Sequence, residues 1–98
     1  MTITLKIGGV DKTYTVDFIS ARMLRRTIEL SRTINFNDLS PEELDTLISF
    51  VVELFGKQFT VDDVYDGLPS RDLMPTLNSC LSGVAAEVSS ATGKGKNT

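Results

Sequence analysis

The sequence contains no histidine and a single cysteine, Cys80. Histidine is the commonest general base and metal ligand in proteins, so its absence argues against an enzyme and against a metal centre. One cysteine cannot form a disulfide within the chain, and a reducing cytoplasm suits such a composition. The sequence also lacks an apolar run near the ~18 residues of a transmembrane helix, and its N-terminus lacks the apolar core of a signal peptide. We therefore expect a protein that neither crosses a membrane nor is secreted.

The remaining candidates for chemistry do not fit known patterns. The glycines at 8–9 and 93–95 do not match a phosphate-binding loop. Acidic clusters at 42–45 and 62–66 lack the alternating ligands and the glycine of an EF-hand, and acids in the first turn of a helix already have an electrostatic reason to be there. Cys80 falls on or beside the apolar stripe of the last predicted helix, where a small core residue is expected. The sequence thus predicts no catalytic residue, no cofactor and no metal.

The N-terminal residues predict a β-hairpin. Residues 2–7 and 13–18 each alternate between apolar and polar side chains, with Gly8 and Gly9 between the two runs. The apolar positions of the two runs are Ile3, Leu5, Ile7, Tyr14, Val16 and Phe18. A two-stranded ribbon with one apolar face is not stable alone, so helices have to cover that face.

The rest of the chain predicts helices. Ser20 is placed to cap a helix over about 21–34, a second helix covers 41–55, and a short third helix follows Thr60. Ser70 is placed to cap the last helix, and nothing after residue 88 has apolar surface to bury. We predict an α+β, mainly helical fold, with an N-terminal β-hairpin packed on three to four α-helices. Residues 1–88 form its single domain, and residues 89–98 form a flexible, disordered polar C-terminal tail.

The predicted helix over 41–55 is unusually apolar. Ser40, Pro41 and Glu43 match an N-cap, a first helical residue and a capping box, and Gly56 suits the C-terminal end. Eight apolar residues lie between these ends: Leu44, Leu47, Ile48, Phe50, Val51, Val52, Leu54 and Phe55. They cover an arc of roughly 200°, against the ~100° of an ordinary surface helix. Such a helix packs on two sides, within its own fold or against another chain, and indicates a protein that binds proteins.

Charge is unevenly distributed along the chain, whose net charge is −3. Residues 1–32 carry six basic groups and three acids, whereas residues 38–72 carry nine acids and two basic groups. Copies could pair head to tail through these regions, or the regions could face each other within one monomer or remain solvated. Arginines at 22, 25, 26 and 32 partly share a helix face, but no aromatic platform accompanies them, so nucleic-acid binding is not expected.

Most aromatic residues are expected in the core, Phe18 among them. Phe50 at the edge of the apolar arc and Phe59 in the following loop are predicted to be partly exposed for a partner. The predicted partner-binding set joins apolar residues of this region with basic residues of the first helix: Phe50, Phe59, Val52, Leu54, Arg22, Arg25 and Arg26.

Several segments together resemble one protein family. They are TITLKIGG and KTYTVDF, FISARMLRRTIEL, and NDLSPEELDTLISFVVELFGKQFTVDDVYDGL. Their combination resembles the tail assembly chaperones of long-tailed phages, or siphophages, that infect Gram-positive bacteria. The resemblance covers about residues 2–82, and FVVELFGKQFTVDDVYDGL is its most specific part.

The resemblance implies a role in assembly. Such chaperones coat the tape measure protein, keep it soluble, recruit tail tube subunits and leave before the virion matures, so the host cytoplasm is the expected location. Self-association is expected, and neither nucleic acid nor membrane is an expected partner. Many members have a longer form made by programmed frameshifting, and the tripeptides at 92–94 and 94–96 allow a slippery codon sequence. Two alternatives stay open: a structural head–tail completion or connector component of the virion, and a regulator that binds nucleic acid.

Overall fold

A computed structural model of the chain describes residues 1–86, together with the helical course of the backbone beyond them as far as Asn97. Two strands and four helices follow in order: β1 (Thr2–Ile7), β2 (Val10–Thr15), α1 (Ala21–Thr33), α2 (Pro41–Leu54), α3 (Val61–Gly67) and α4 (Ser70–Asn97). The α+β class and the N-terminal hairpin on helices are confirmed. The flexible tail predicted for 89–98 and the domain limit at 88 lie outside the fully described residues and stay predictions.

The hairpin turns more tightly than the alternation suggested. Gly8 and Gly9 both have positive φ, +59° and +81°, which is what a two-residue hairpin turn needs and what glycine adopts without strain. Val10 therefore pairs directly with Ile7, and the antiparallel register continues to Thr2 opposite Thr15. The second strand was expected at 13–18, and that placement is wrong because the turn takes only two residues.

Phe18 consequently lies outside the sheet. The N–H of Val16 still donates to the carbonyl of Met1 at 3.0 Å, but the chain then turns away so that Ser20 can cap α1, where its Oγ accepts from the N–H of Met23 at 3.3 Å. Phe18 lies between these two points and is 80% exposed. The prediction that it belongs to the core is wrong for this reason.

Short local motifs set where α2 and α3 begin. The N–H of Glu43 donates to Ser40 Oγ at 3.1 Å, and Glu43 Oε1 accepts from the N–H of Ser40 at 3.0 Å. Thr60 and Asp63 make the same reciprocal pair for α3. Each pair satisfies two backbone donors that a helix start leaves free. The capping box predicted for α2 is confirmed.

Helix α4 begins one residue earlier than predicted. Ser70 is its first helical residue rather than its cap, and the N–H of Asp72 donates to the carbonyl of Pro69 at 2.9 Å. Pro75 lies inside the helix. Because proline has no N–H, it cannot donate to the carbonyl of Arg71 four residues earlier.

Helix α2 forms the centre of the core. It contacts α1, α3 and α4, while α3 packs against β1. The buried apolar side chains of the described residues come from β1, all four helices and the loop after α2: Ile3, Leu5, Met23, Leu30, Leu47, Ile48, Phe50, Val51, Leu54, Phe55, Phe59, Val64, Leu77, Cys80 and Val84. The wide apolar arc of α2 is therefore covered by three helices of its own chain, which resolves the alternative that the sequence left open.

Candidate interaction surface

Three of the residues predicted to meet a partner lie in the core. Phe50, Leu54 and Phe59 are 1%, 2% and 4% exposed. The expectation that Phe50 and Phe59 are partly exposed is wrong, because helices cover α2 on several sides and the loop after α2 folds inward. Val52 is half-buried. Its contact with a partner stays a prediction.

Phe59 belongs to an aromatic cluster that joins the hairpin to the helices. Its ring centroid lies 4.9 Å from that of Tyr14 on β2 and 5.5 Å from that of Phe55 at the end of α2, both in tilted arrangements. Aromatic pairs at this separation add to the stabilisation that burial supplies. Gln58 reinforces the junction, because its side-chain amide donates to the carbonyls of Thr15 and Phe55 at 3.0 and 2.9 Å. Phe59 therefore stabilises the fold.

The large apolar side chains that do reach the surface are different ones. Within the described residues they are Phe18, Val10, Ile28 and Tyr65, which are 80%, 60%, 48% and 38% exposed. Neither Phe18 nor Ile28 is predicted from the sequence to reach the surface. The helical periodicity of α1 nevertheless indicates that Ile28 is exposed. Thr27 lies on the buried face of α1 with Met23, and the next residue is rotated away from that face by about 100°.

The arginines of α1 have different surroundings. Arg26 pairs with Glu53 of α2 at 3.1 Å, and Arg25 pairs with Glu29 of its own helix at 3.0 Å. Together with Arg22 they line a shallow groove of about 480 Å³ that also includes Thr46 of α2. We call the three arginines the basic face. The structure brings Arg22, Arg25 and Arg26 together as predicted, and whether they contact a partner stays a prediction.

Acidic residues lie on the other side of α2. The hydroxyl of Tyr65 on α3 donates to Asp45 of α2, which places the start of α2 beside α3. Burial and then the hydrogen bond to Asp45 raise the pKa of Tyr65 to about 12. Three exposed acids of these two helices, Asp45, Asp62 and Asp66, form what we call the acidic face. Of the ion pairs among the described residues, only Arg26–Glu53 joins the basic region to the acidic one, so most of this opposed charge faces solvent.

The described part of the chain offers no metal site or membrane span. Among the described residues, no three Cys, Asp or Glu side chains lie close enough together to hold a metal ion. No described helix is both long and apolar enough to cross a bilayer. Cys80 is buried, and burial raises the pKa of its thiol to about 11 against a weaker opposing effect of the Met1 amino group. Its predicted place in the core is confirmed.

Comparison with protein families gives one match. The model of the phage tail chaperone protein family matches residues 1–98. The chain belongs to this family. Neither the curated proteins nor the solved structures contain a significant match.

For a tail chaperone, the surfaces that could contact other proteins are the relevant feature of the structure. Membership in the family implies interaction with tail proteins and a role in the host cell during assembly, and it favours a non-enzymatic role. The chaperone presents a basic face on α1, an acidic face on α2 and α3, and the exposed side chains of Phe18 and Ile28. Each of these is accessible in a single copy, so each is a candidate contact for a protein partner.

Proposed function

We propose that this tail chaperone binds the tape measure protein, keeps it soluble and helps to recruit tail tube subunits during tail assembly. The match of the phage tail chaperone family over the whole chain carries the proposal. We place its action in the host cytoplasm and expect it to be absent from the mature virion. A chaperone of this kind needs accessible surface and many copies rather than an active site.

The client contact that we propose lies at α1 and the segment before it. Phe18 and Ile28 are 80% and 48% exposed, and exposed aromatic and aliphatic side chains suit the apolar face of a client helix. Phe18 and Ile28 replace Phe50 and Phe59 as the proposed apolar contacts, because Phe50 and Phe59 are buried in the core and a partner cannot reach them.

We also propose that copies associate head to tail through the basic and acidic faces. Helix α2 separates the two, since Thr46 faces the groove beside α1 while the neighbouring Asp45 accepts a hydrogen bond from α3. Opposite charges on two different surfaces of one molecule favour a heterologous contact, and a heterologous contact that does not close gives a spiral. A spiral of copies could follow a long client.

The test is co-expression of the chain with the tape measure protein of the same genome, followed by affinity purification and mass determination. We expect a soluble complex with many copies per client. Phe18→Ser and Ile28→Ser should reduce the number of bound copies, whereas Val10→Ser, which removes an apolar side chain that is 60% exposed at the hairpin tip, should not.

Two results would contradict the proposal. One is an insoluble tape measure protein that retains no bound chain in co-expression. The other is the chain at ring stoichiometry in purified virions, as a head–tail connector would be, measured by mass spectrometry.

A further inference from the structure

The outer edge of β1 has backbone groups without partners. Met1 and Val16 exchange hydrogen bonds through their main chains at 3.0 and 3.4 Å. In an antiparallel pair the bonded residues alternate, so Ile3, Leu5 and Ile7 point their N–H and C=O groups toward β2. Those of Thr2, Thr4 and Lys6 point away from it. Among the described residues, none supplies a hydrogen bond to the outward groups of Thr2 or Thr4.

Helix α3 closes only part of this edge. A Cβ added at Gly67, the last residue of α3, would lie 2.8 Å from the carbonyl oxygen of Lys6 and 3.1 Å from its nitrogen. The end of α3 therefore covers the edge at Lys6, where only glycine allows so close an approach. At Thr4 and Thr2 the edge is open.

A groove runs along the open part. One depression of about 330 Å³ lies between the start of β1 and the first turns of α4, and a second of about 450 Å³ adjoins it beside the end of α3, where Lys6 and Asp11 line it. The two share Thr4, Leu68 and Asp72, so they form one continuous channel. We call this channel the edge groove. Half-buried Leu68 and buried Cys80 give it apolar walls, and Thr76 and Ser79 add hydroxyls.

The charge of the edge groove is mostly negative. Its charged side chains are Asp11, Asp66, Asp72 and Lys6. The positive charges are the ammonium of Lys6 and the amino group of Met1, which also lines the groove. Three carboxylates against these two leave a net negative charge, which favours a ligand that carries positive charge and disfavours an acidic one. An unpaired strand edge accepts an extended peptide through main-chain hydrogen bonds, while the side chains beside it select the sequence.

We propose that the edge groove binds an extended segment of a partner protein that carries lysine or arginine and adds to β1 as a third strand. The segment pairs with the outward main-chain groups of Thr2 and Thr4. Its basic side chains lie beside Asp66 and Asp72. This site uses a different surface from the contact proposed at α1, and it takes an extended segment instead of a helix. It shares Asp66 with the acidic face.

The test measures binding of synthetic peptides to the full chain by fluorescence anisotropy. The probe is a labelled, acetylated peptide of eight residues in which lysine alternates with valine and threonine, and its matched control has glutamate in place of lysine. We expect the lysine peptide to bind, the glutamate peptide not to bind, and added salt to weaken the binding. Asp66→Asn combined with Asp72→Asn should weaken it several-fold.

A pair of proline variants separates the two edges of the hairpin. Thr4 and Thr13 are opposite each other, and their hydroxyls share one hydrogen bond of 2.9 Å, so Thr4→Pro and Thr13→Pro lose the same contact. Each removes an N–H that points away from the other strand, a position where proline is tolerated. Thr4→Pro should lower the affinity about tenfold, the loss expected for one hydrogen bond and close contact, and Thr13→Pro should not change it.

Nuclear magnetic resonance of the unmodified chain provides a measurement that does not depend on how the variants fold. The amide signals of Thr2 and Thr4 should shift when the lysine peptide is added, and that of Thr13 should not. Equal binding by the two proline variants, or no binding of the lysine peptide at about 1 mM, would overturn the proposal. Pairing of the edge with a second copy of the chain would also overturn the proposal. In that case the Thr4→Pro variant would have a lower mass in solution than the wild type and would still bind the peptide normally.

Discussion

The aromatic residues have two separate roles. Tyr14, Phe55 and Phe59 stabilise the junction of hairpin and helices, with ring centroids 4.9 and 5.5 Å apart. Phe18 lies only a few residues from Tyr14 along the chain, yet it is 80% exposed. Because a core residue loses solvent on folding and a surface residue does not, the same substitution has different consequences at the two kinds of site.

Phe59→Ala should lower the free energy of unfolding by about 3–5 kcal/mol, since it leaves a cavity beside Tyr14 and Phe55. Phe18→Ala is the matched control and should change it by less than about 0.5 kcal/mol. Urea unfolding followed by circular dichroism measures both. Similar losses for the two variants would show that Phe18 also packs in solution.

Cys80 gives the stability a pH dependence. Burial raises the pKa of its thiol from 9.0 to about 11, so between these values the folded chain keeps a proton that the unfolded chain has released. Folding therefore becomes less favourable as the pH rises through this window. The free energy of unfolding should fall more steeply between pH 9 and about pH 11 in the wild type than in Cys80→Ala. Parallel profiles of the two proteins, measured by urea unfolding, would contradict this.

At the scale of elements, α3 is held by close backbone approach. It has only seven residues, Val61–Gly67, too few to be stable as an isolated helix. Its capping box orders the first turn, and Gly67 brings its last turn against Lys6 of β1. The position of α3 thus depends on the absence of a side chain at one residue.

Gly67→Ala should lower the free energy of unfolding by about 1–3 kcal/mol, because its Cβ would meet main-chain atoms that cannot move aside. Gly83→Ala on α4 is the matched control. There the new Cβ meets only the methyl end of Met1, which can rotate away, and alanine favours the helix by up to about 1 kcal/mol. Thermal unfolding of both variants tests this, and an unchanged Gly67→Ala variant would argue against the close packing of α3 on β1.

At the scale of the whole molecule, the distribution of charge is the main feature. The basic face lies on the side of α2 next to α1 and the acidic face on the side next to α3. One ion pair of 3.1 Å, between Arg26 and Glu53, joins the two regions among the described residues. Exposed charges that are not paired within a monomer are available to neighbouring copies. Such contacts are weakened by salt, because ions screen charges at the surface.

Charge reversal tests the proposed head-to-tail association. Arg22→Glu should reduce the mass of the assemblies in sedimentation velocity, and so should Asp62→Lys, because each variant places like charges at the contact. Mixing the two variants should restore large assemblies, since each then meets a complementary face. Lys12→Glu on β2 makes the same charge change as Arg22→Glu away from both faces and should have no effect. A mixture that stays small would contradict the head-to-tail arrangement.

Local sequence determined the hairpin turn and the two ends of α2. The Gly8-Gly9 turn, the capping box of Ser40 and Glu43, and the helix end before Gly56 each depend on residues within about four positions of one another. Such motifs act through their own backbone, so they can be recognised without knowing the rest of the fold. These motifs predicted the α+β class, and the sequence segments that resemble tail assembly chaperones predicted the family.

Tertiary packing decided which residues reach the surface. The wide arc of α2 predicted burial on two sides but not by which chain, and three helices of the same chain supply it. Phe59 is buried and Phe18 is exposed because of where the loop after α2 and the segment before α1 fold, which depends on contacts distant in sequence. The outer edge of β1 is likewise open at Thr2 and Thr4 because the end of α3, at Gly67, covers that edge only at Lys6. Exposure is a property of the assembled chain, since a side chain is covered by whatever packs beside it, and periodicity describes only its own helix or strand.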